Sequence, residues 1–235
     1  STEPRESVGG GVDAAGAGSS GVGSTEPRES VGGGVDAAGA GNQPERLRLQ
    51  RILAFLEEAD RLKSVERRTR VGARQENPAE HSWHMALYVL LLAGELEEAV
   101  DAGHAIELCI VHDLVEIRAG DTYAFDEAGK AEQHEREARA ADDLFGLLPD
   151  DLGRRLRALW DEFEAAETRE AKLAKAVDRM QALAQNLASE GAVWQENAIR
   201  AEQVRARNAE TLAGDPALAA LVESMLERAA PYLGP

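Results

Sequence analysis

Residues His112 and Asp113 are adjacent in the chain, follow a second histidine, His81, and precede an aspartate, Asp178, set in a long helical pattern. Imidazole nitrogens and carboxylate oxygens are ordinary ligands for a divalent cation. Four of them leave coordination positions where water and a substrate oxygen can bind. Glu116 follows His112 by four residues and Asp113 by three, a spacing that puts its carboxylate on the same helical face. Asp121 comes after Gly120, whose freedom lets the chain turn back towards the same place. The order of residue types describes a metal-dependent hydrolase with two further carboxylates for proton handling.

Helices must position these groups. Between Pro44 and Leu62 the apolar residues Leu47, Leu49, Ile52, Leu53, Phe55, Leu56 and Leu62 recur largely at three- and four-residue steps, predicting an amphipathic helix with one buried stripe. A loop from about Arg68 to Pro78 precedes a second helix that starts at Ala79 or Glu80 and runs through Leu96, with Met85, Tyr88, Val89, Leu91 and Leu92 facing inward. A third covers Ala102 to Ile117 and is broken by Gly120 and Asp121. Further stretches span Glu127 to Leu147, Asp150 to Ala165, Glu167 to Ser189, Asn197 to Ala213 and Pro216 to Leu233. Alternating period-two runs are absent, so the fold class is all-α. His81 then falls in the first turn of the second helix, His112 and Asp113 near the end of the third, and Asp178 in the middle of a long one.

Each ligand has a plainer reading when taken alone. His81 reads as a helix-start histidine bonded to backbone, Asp178 as a surface partner of Lys175, and Glu116 as a surface carboxylate. Only their joint arrangement points to a site. His84 packs or lines the pocket, while His104 and His134 read as surface residues. The cations Arg61, Lys63, Arg67, Arg68, Arg70 and Arg74 crowd the segment before His81. They form either a solvated face or the locally positive patch that an anionic substrate needs.

The chain has 235 residues, 43% of them hydrophobic, enough for one sizeable core and short for two. Its net charge of -17 argues against binding a nucleic acid polymer, because an acidic surface repels phosphate backbones. A small anionic substrate remains compatible with it. The single cysteine, Cys109, sits in an apolar run and reads as a core thiol in a reducing, cytoplasmic compartment. No apolar stretch is long enough to span a bilayer and no signal-peptide pattern opens the chain, so no membrane role is expected. Residues 1–43 are of another kind: Ser1 to Gly18 is repeated letter for letter from Ser24 to Gly41. Such identity suggests a recent duplication or an appended segment, and its Gly- and Ala-rich composition predicts a disordered tail ahead of one domain at 44–235.

The words around the candidate ligands carry a resemblance. Arg74-Gln75-Glu76-Asn77-Pro78-Ala79-Glu80-His81-Ser82-Trp83, Val111-His112-Asp113-Leu114-Val115-Glu116, Ala119-Gly120-Asp121 and Lys175-Ala176-Val177-Asp178 resemble, in order, the HD-domain metal-dependent phosphohydrolases. Within them the 5'-deoxynucleotidase-like group is the nearest likeness, over about Leu47 to Leu212 and including Lys130 to Glu137. The resemblance implies an HD-domain helical bundle that binds one divalent metal ion, Co, Mn, Zn, Mg or Fe. It assigns His81, His112, Asp113 and Asp178 as metal ligands and Glu116 and Asp121 as the catalytic carboxylates. It also implies an arginine that binds the substrate phosphate; here Arg67 is favoured over Arg68, because the segment Val65 to Gln75 departs in length and lacks the Arg-Trp pair of some relatives. The implied reaction removes the 5'-phosphate of deoxyribonucleoside monophosphates.

Other readings stay open. One is a phosphohydrolase for a ribonucleotide, a cyclic nucleotide or a modified nucleotide, and another is a non-catalytic nucleotide-binding module. A diiron oxygenase needs further histidines between His112 and Asp178, where only His134 lies. Leucine-rich faces on the last two helices, with Leu212, Leu218, Leu221 and Leu226, point to a homodimer.

Overall fold

A computed structural model describes residues 42–126 and 132–234. The expected disordered tail lies outside these residues apart from its last two positions, as do the expected helix start at Glu127 and the Lys130 end of the matched segment. The domain division at 43/44 is therefore an expectation from sequence alone. Among the described residues the architecture is all-α, apart from one two-residue hairpin.

Helix α1 (Gln43–Ala59) has Pro44 in its first turn, where a missing N–H costs nothing. It continues as a 3₁₀ turn, Asp60–Ser64. The expected buried stripe is narrower than its leucines suggested, formed by Ile52, Phe55 and Leu62. Phe55 is the helix's one buried side chain, while Leu47, Leu49, Leu53 and Leu56 are 59%, 58%, 55% and 58% exposed. Polar contacts also hold the helix: Arg48 grips Asp151 through two 2.7 Å hydrogen bonds, and Arg51 donates to the carbonyls of Gly146, Leu147 and Leu148. The predicted loop after it contains the hairpin β1 (Arg70–Val71) and β2 (Arg74–Gln75), too short to leave a period-two signature.

Helix α2 (Pro78–Leu92) starts where its cap dictates, one residue before the expected Ala79. The Asn77 side chain accepts from the Glu80 N–H, and the Glu80 side chain accepts from the Asn77 N–H. Met85 and Val89 are buried as expected, but Leu91 is 66% exposed. Helix α3 (Ala102–Val111) is capped by Asp101, whose carboxylate accepts from the His104 N–H. It stops at His112 rather than running on to Ile117. From there the backbone bonds tighten to three-residue steps, Leu114 to Val111 and Glu116 to Asp113, before the short α4 (Glu116–Ala119) ends at Gly120 with φ +74°.

Helices α5 (Gln133–Phe145), α6 (Asp150–Ala165) and α7 (Arg169–Ala188) complete the central bundle. A short helix α8 (Ala192–Glu196) precedes the expected single helix Asn197 to Ala213, which is broken into α9 (Ala201–Arg207) and α10 (Ala209–Leu212) and followed by α11 (Pro216–Ala229). Helices α2, α3 and α7 pack on one another. Leu108, Leu144, Met180, Trp160 and Trp194 are buried in the core around them, where each large apolar side chain contributes about 1.5–3 kcal/mol. Leu218 is buried in that core, and Leu212 and Leu226 pack partly buried against it, so most of the leucine face read as a dimer contact is internal.

Gly191 is a tight point. Its φ of +66° favours glycine, and an added Cβ would collide with the Cβ of Tyr232 and stand 3.2 Å from Cε3 of Trp194. Gly191→Ala should cost about 2 kcal/mol or more of stability, read as a lower urea midpoint at unchanged slope.

Candidate metal centre

The tertiary structure brings His81, His112 and Asp113 together: one ligand atom from each lies within 4.8 Å of the others, and all three residues are buried. His81 comes from the first turn of α2, as the cap at Asn77 requires, while His112 and Asp113 come from the turn that interrupts α3. Asp178 approaches from α7 with Oδ1 3.0 Å from His81 Nε2. It is not the surface partner of Lys175, which pairs with Glu164 at 2.7 Å.

The tautomer of each histidine follows from its other nitrogen. His81 Nδ1 lies 2.6 Å from Gln181 Oε1 and His112 Nδ1 lies 2.8 Å from the Cys109 carbonyl. Each is a donor to an acceptor, which leaves the Nε2 lone pairs facing the site. Those lone pairs meet carboxylate oxygens: His81 Nε2 meets Asp178, and His112 Nε2 stands 2.9 Å from Asp113 Oδ1 without hydrogen-bond geometry. Acceptor against acceptor at such distances calls for a cation or a proton between them. The donor set of two imidazoles and two carboxylates therefore fits a divalent metal ion. Burial pushes the carboxyl of Asp113 up, but His112, Arg67 and His81 outweigh it and hold it at about 2. Burial likewise opposes ionisation of Asp178, and the His81 contact drives its pKa well below the ordinary carboxylate range.

Behind these groups lies a buried polar network that spacing did not reveal. Gln181 Nε2 donates to Glu76 Oε1 at 2.6 Å, and Thr69 Oγ1 donates to Glu76 Oε2 at 2.6 Å. Arg67 sets its Nε 3.3 Å from that same Glu76 oxygen and donates from its terminal nitrogen to Asp113 Oδ2 at 2.8 Å. One fully buried carboxylate thus steadies the partners of both His81 and Asp113. The hairpin positions it: the Glu76 N–H donates to the Thr69 carbonyl, and the Arg67 N–H donates to the Glu76 carbonyl. Gln181 lies one helical turn from Asp178 on α7, and that spacing was the one available sign of it.

Glu116 is buried, and its Oε2 has no hydrogen-bond partner among the described residues. Burial first, then the charge of Asp113, raises its pKa well above that of an ordinary carboxylate. Asp121, hydrogen-bonded to Glu116, is also raised by burial. Both line a cavity of about 230 Å³ together with His112, Asp113 and Asp178. His84 stays outside the cluster, stacked beside Trp83 and tilted against Tyr88. His104 pairs with Glu162, and His134 stacks on Trp160. In the arginine-rich segment, Arg61, Lys63, Arg70 and Arg74 pair with Glu58, Asp60, Glu196 and Glu80, so the solvated-face reading holds for these four.

Comparison with known proteins gives the family. A family model described as HD domain matches residues 59–219. The 5'-deoxynucleotidase HDDC2 of Mus musculus is 33% identical over 134 residues, 57% of this chain and 67% of that protein. The one of Homo sapiens is 31% identical over 137 residues, 57% and 66% of the two chains, so the chain spans about two thirds of these relatives' length. A crystal structure of a predicted metal-dependent phosphohydrolase from Magnetospirillum magnetotacticum MS-1 has a TM-score of 0.74 at 41% identity, covering 82% of this chain and 98% of that one. The chain belongs to the HD domain family. It is an enzyme of the metal-dependent phosphohydrolase class that its sequence words suggested.

Two outcomes follow from the buried groups. Gln181→Leu removes the acceptor that orients His81 and should weaken divalent-metal affinity about tenfold to a hundredfold, measured by competition with a chromogenic chelator. Glu116, with its folded pKa above the unfolded value, contributes stability at acid pH that is lost as pH rises through the folded pKa. Chelator-treated Glu116→Gln should therefore melt higher than the parent at pH 7, with the difference shrinking towards pH 4.

Proposed function

We propose that this enzyme removes the 5'-phosphate of deoxyribonucleoside monophosphates, with His81, His112, Asp113 and Asp178 as metal ligands. The observation that carries the reading is the pair of Nε2 lone pairs and the Asp113 carboxylate converging within 4.8 Å beside two carboxyls of raised pKa. The names of the curated relatives support the substrate class. A divalent ion held there supplies Lewis acidity towards a phosphoryl oxygen and lowers the pKa of the attacking water.

The chain's own residues do the rest. Glu116, unpartnered at Oε2 among the described residues, accepts the proton of the water as its oxygen bonds to phosphorus. Asp121, whose pKa burial raises, is the acid that gives its proton to the 5' oxygen as the P–O bond breaks, leaving a deoxynucleoside and inorganic phosphate. Arg67 holds Asp113 in place and presents its remaining N–H groups to the phosphate. The homodimer belongs to the same proposal and now rests on the exposed stripe Leu49, Leu53 and Leu56 of α1. A monomeric mass by light scattering would remove it.

Phosphate release tests the reaction, using metal-stripped protein resupplied with Co, Mn, Zn or Mg against deoxy- and ribonucleoside monophosphates. Release from 5'-deoxynucleotides should fall about a hundredfold or more in Glu116→Ala. Metal binding without release from any nucleotide would sink the proposal.

A further inference from the structure

Carboxyl groups crowd the cavity beside the metal centre. Asp113, Glu116, Asp121, Glu137, Glu164 and Asp178 line it, in a chain of net charge -17, so a phosphate dianion entering it needs cations that are free to bind it. Most cations on its wall are engaged. Arg67 faces Asp113 and Glu76, Lys175 pairs with Glu164 over the ring of Phe163, and Arg179 pairs with Glu210 at 2.6 Å. Arg68 is exposed, with its guanidinium carbon 6.0 Å from the centroid of Tyr123.

Arg207 differs from all of them. It is the last residue of α9, partly buried in the cavity wall, and makes no hydrogen bond or ion pair with any described residue. A guanidinium carries five donors, and removing them from water without an acceptor is costly. Burial weakens its hold on its proton, the charge of Asp178 opposes that, and the like charges of Arg179 and Arg67 add to it. An anion arriving here would relieve both the unmet donors and the crowded positive charge. Its position suits the reacting end of a substrate, because Arg207 and Arg67 both feel Asp178 and Asp121, Arg67 from the segment after α1 and Arg207 from the C-terminal side.

We propose that Arg207 binds the non-bridging oxygens of the substrate's phosphoryl group, as a second anchor to the arginine before the hairpin. The assignment rests on the phosphomonoesterase reading and extends it to a residue near the C-terminal end of the domain. Arg67, fixed by two carboxylates, then mainly positions Asp113, while Arg207 supplies an uncommitted planar fork.

The test is binding of inorganic phosphate to metal-loaded protein by calorimetry, with metal content and melting temperature recorded for every variant. Arg207→Ala should lower phosphate affinity about tenfold to a hundredfold. Arg207→Lys, which keeps the charge and loses the fork, should fall between, and Arg205→Ala should bind as the parent does, since exposed Arg205 pairs with Glu223. Unchanged affinity in folded Arg207→Ala, or loss of metal in step with loss of phosphate, would overturn the assignment, as would a parent enzyme that binds no phosphate. Arg207-dependent phosphate binding in an enzyme that cleaves no deoxynucleotide would leave the anchor standing and remove only the substrate proposed above.

Discussion

Acceptor facing acceptor is the arrangement on which the rest of this structure depends. Without a cation or a proton between them, two imidazole lone pairs and two aspartates would repel one another in a site where His81 has no solvent exposure and His112 and Asp113 have 6% and 8%. Burial raises the cost of such repulsion, since water no longer screens it. The protein meets that cost from behind, with acceptors for the two ring N–H groups and a donor for Asp113. Gln181 and the Cys109 carbonyl fix the rings, Arg67 fixes Asp113, and Glu76 ties Gln181 to Arg67. The site is thereby arranged in advance for a cation whose charge it lacks.

That requirement explains the irregular parts of the fold. A straight continuation of α3 would keep its regular side-chain spacing past His112. The tightened turn after His112 instead eclipses residues three apart, which sets Asp113 and Glu116 on one side. Gly120, with its left-handed backbone, then reverses the chain and returns Asp121 to Glu116. The small hairpin exists in the same service, presenting Glu76 and Arg67 from adjacent strand ends.

The helices divide their labour accordingly. Helices α2, α3 and α7 pack on one another, and each supplies or directly precedes one of the residues gathered at the candidate metal centre. Helix α1 is held in part by arginines reaching the corner before α6, which leaves its leucines outside. The broken C-terminal segment closes the cavity with Trp194, Val204 and Arg207, and its breaks let it curve over the wall that a single straight helix would have passed.

Much of this was legible in the residues themselves. Helix periodicity and the absence of alternating runs determined the all-α class, and Asp150 to Ala165 matched to the residue. His81, His112, Asp113, Asp178, Glu116 and Asp121 stood out by residue type and surrounding words, because their chemistry is local to each side chain. Tertiary structure decided what periodicity cannot carry: which apolar faces find partners, so the α1 leucines and Leu91 lie exposed while Leu218 is buried. It also decided the long-range polar pairs. Glu76 with Gln181 and Arg67 with Asp113 join residues far apart in the chain, and Arg207 matters through the lack of a hydrogen-bond or ion-pair partner among the described residues. A sequence specifies which groups can bond, but which bond and which are left waiting for a ligand is fixed only when packing sets their distances.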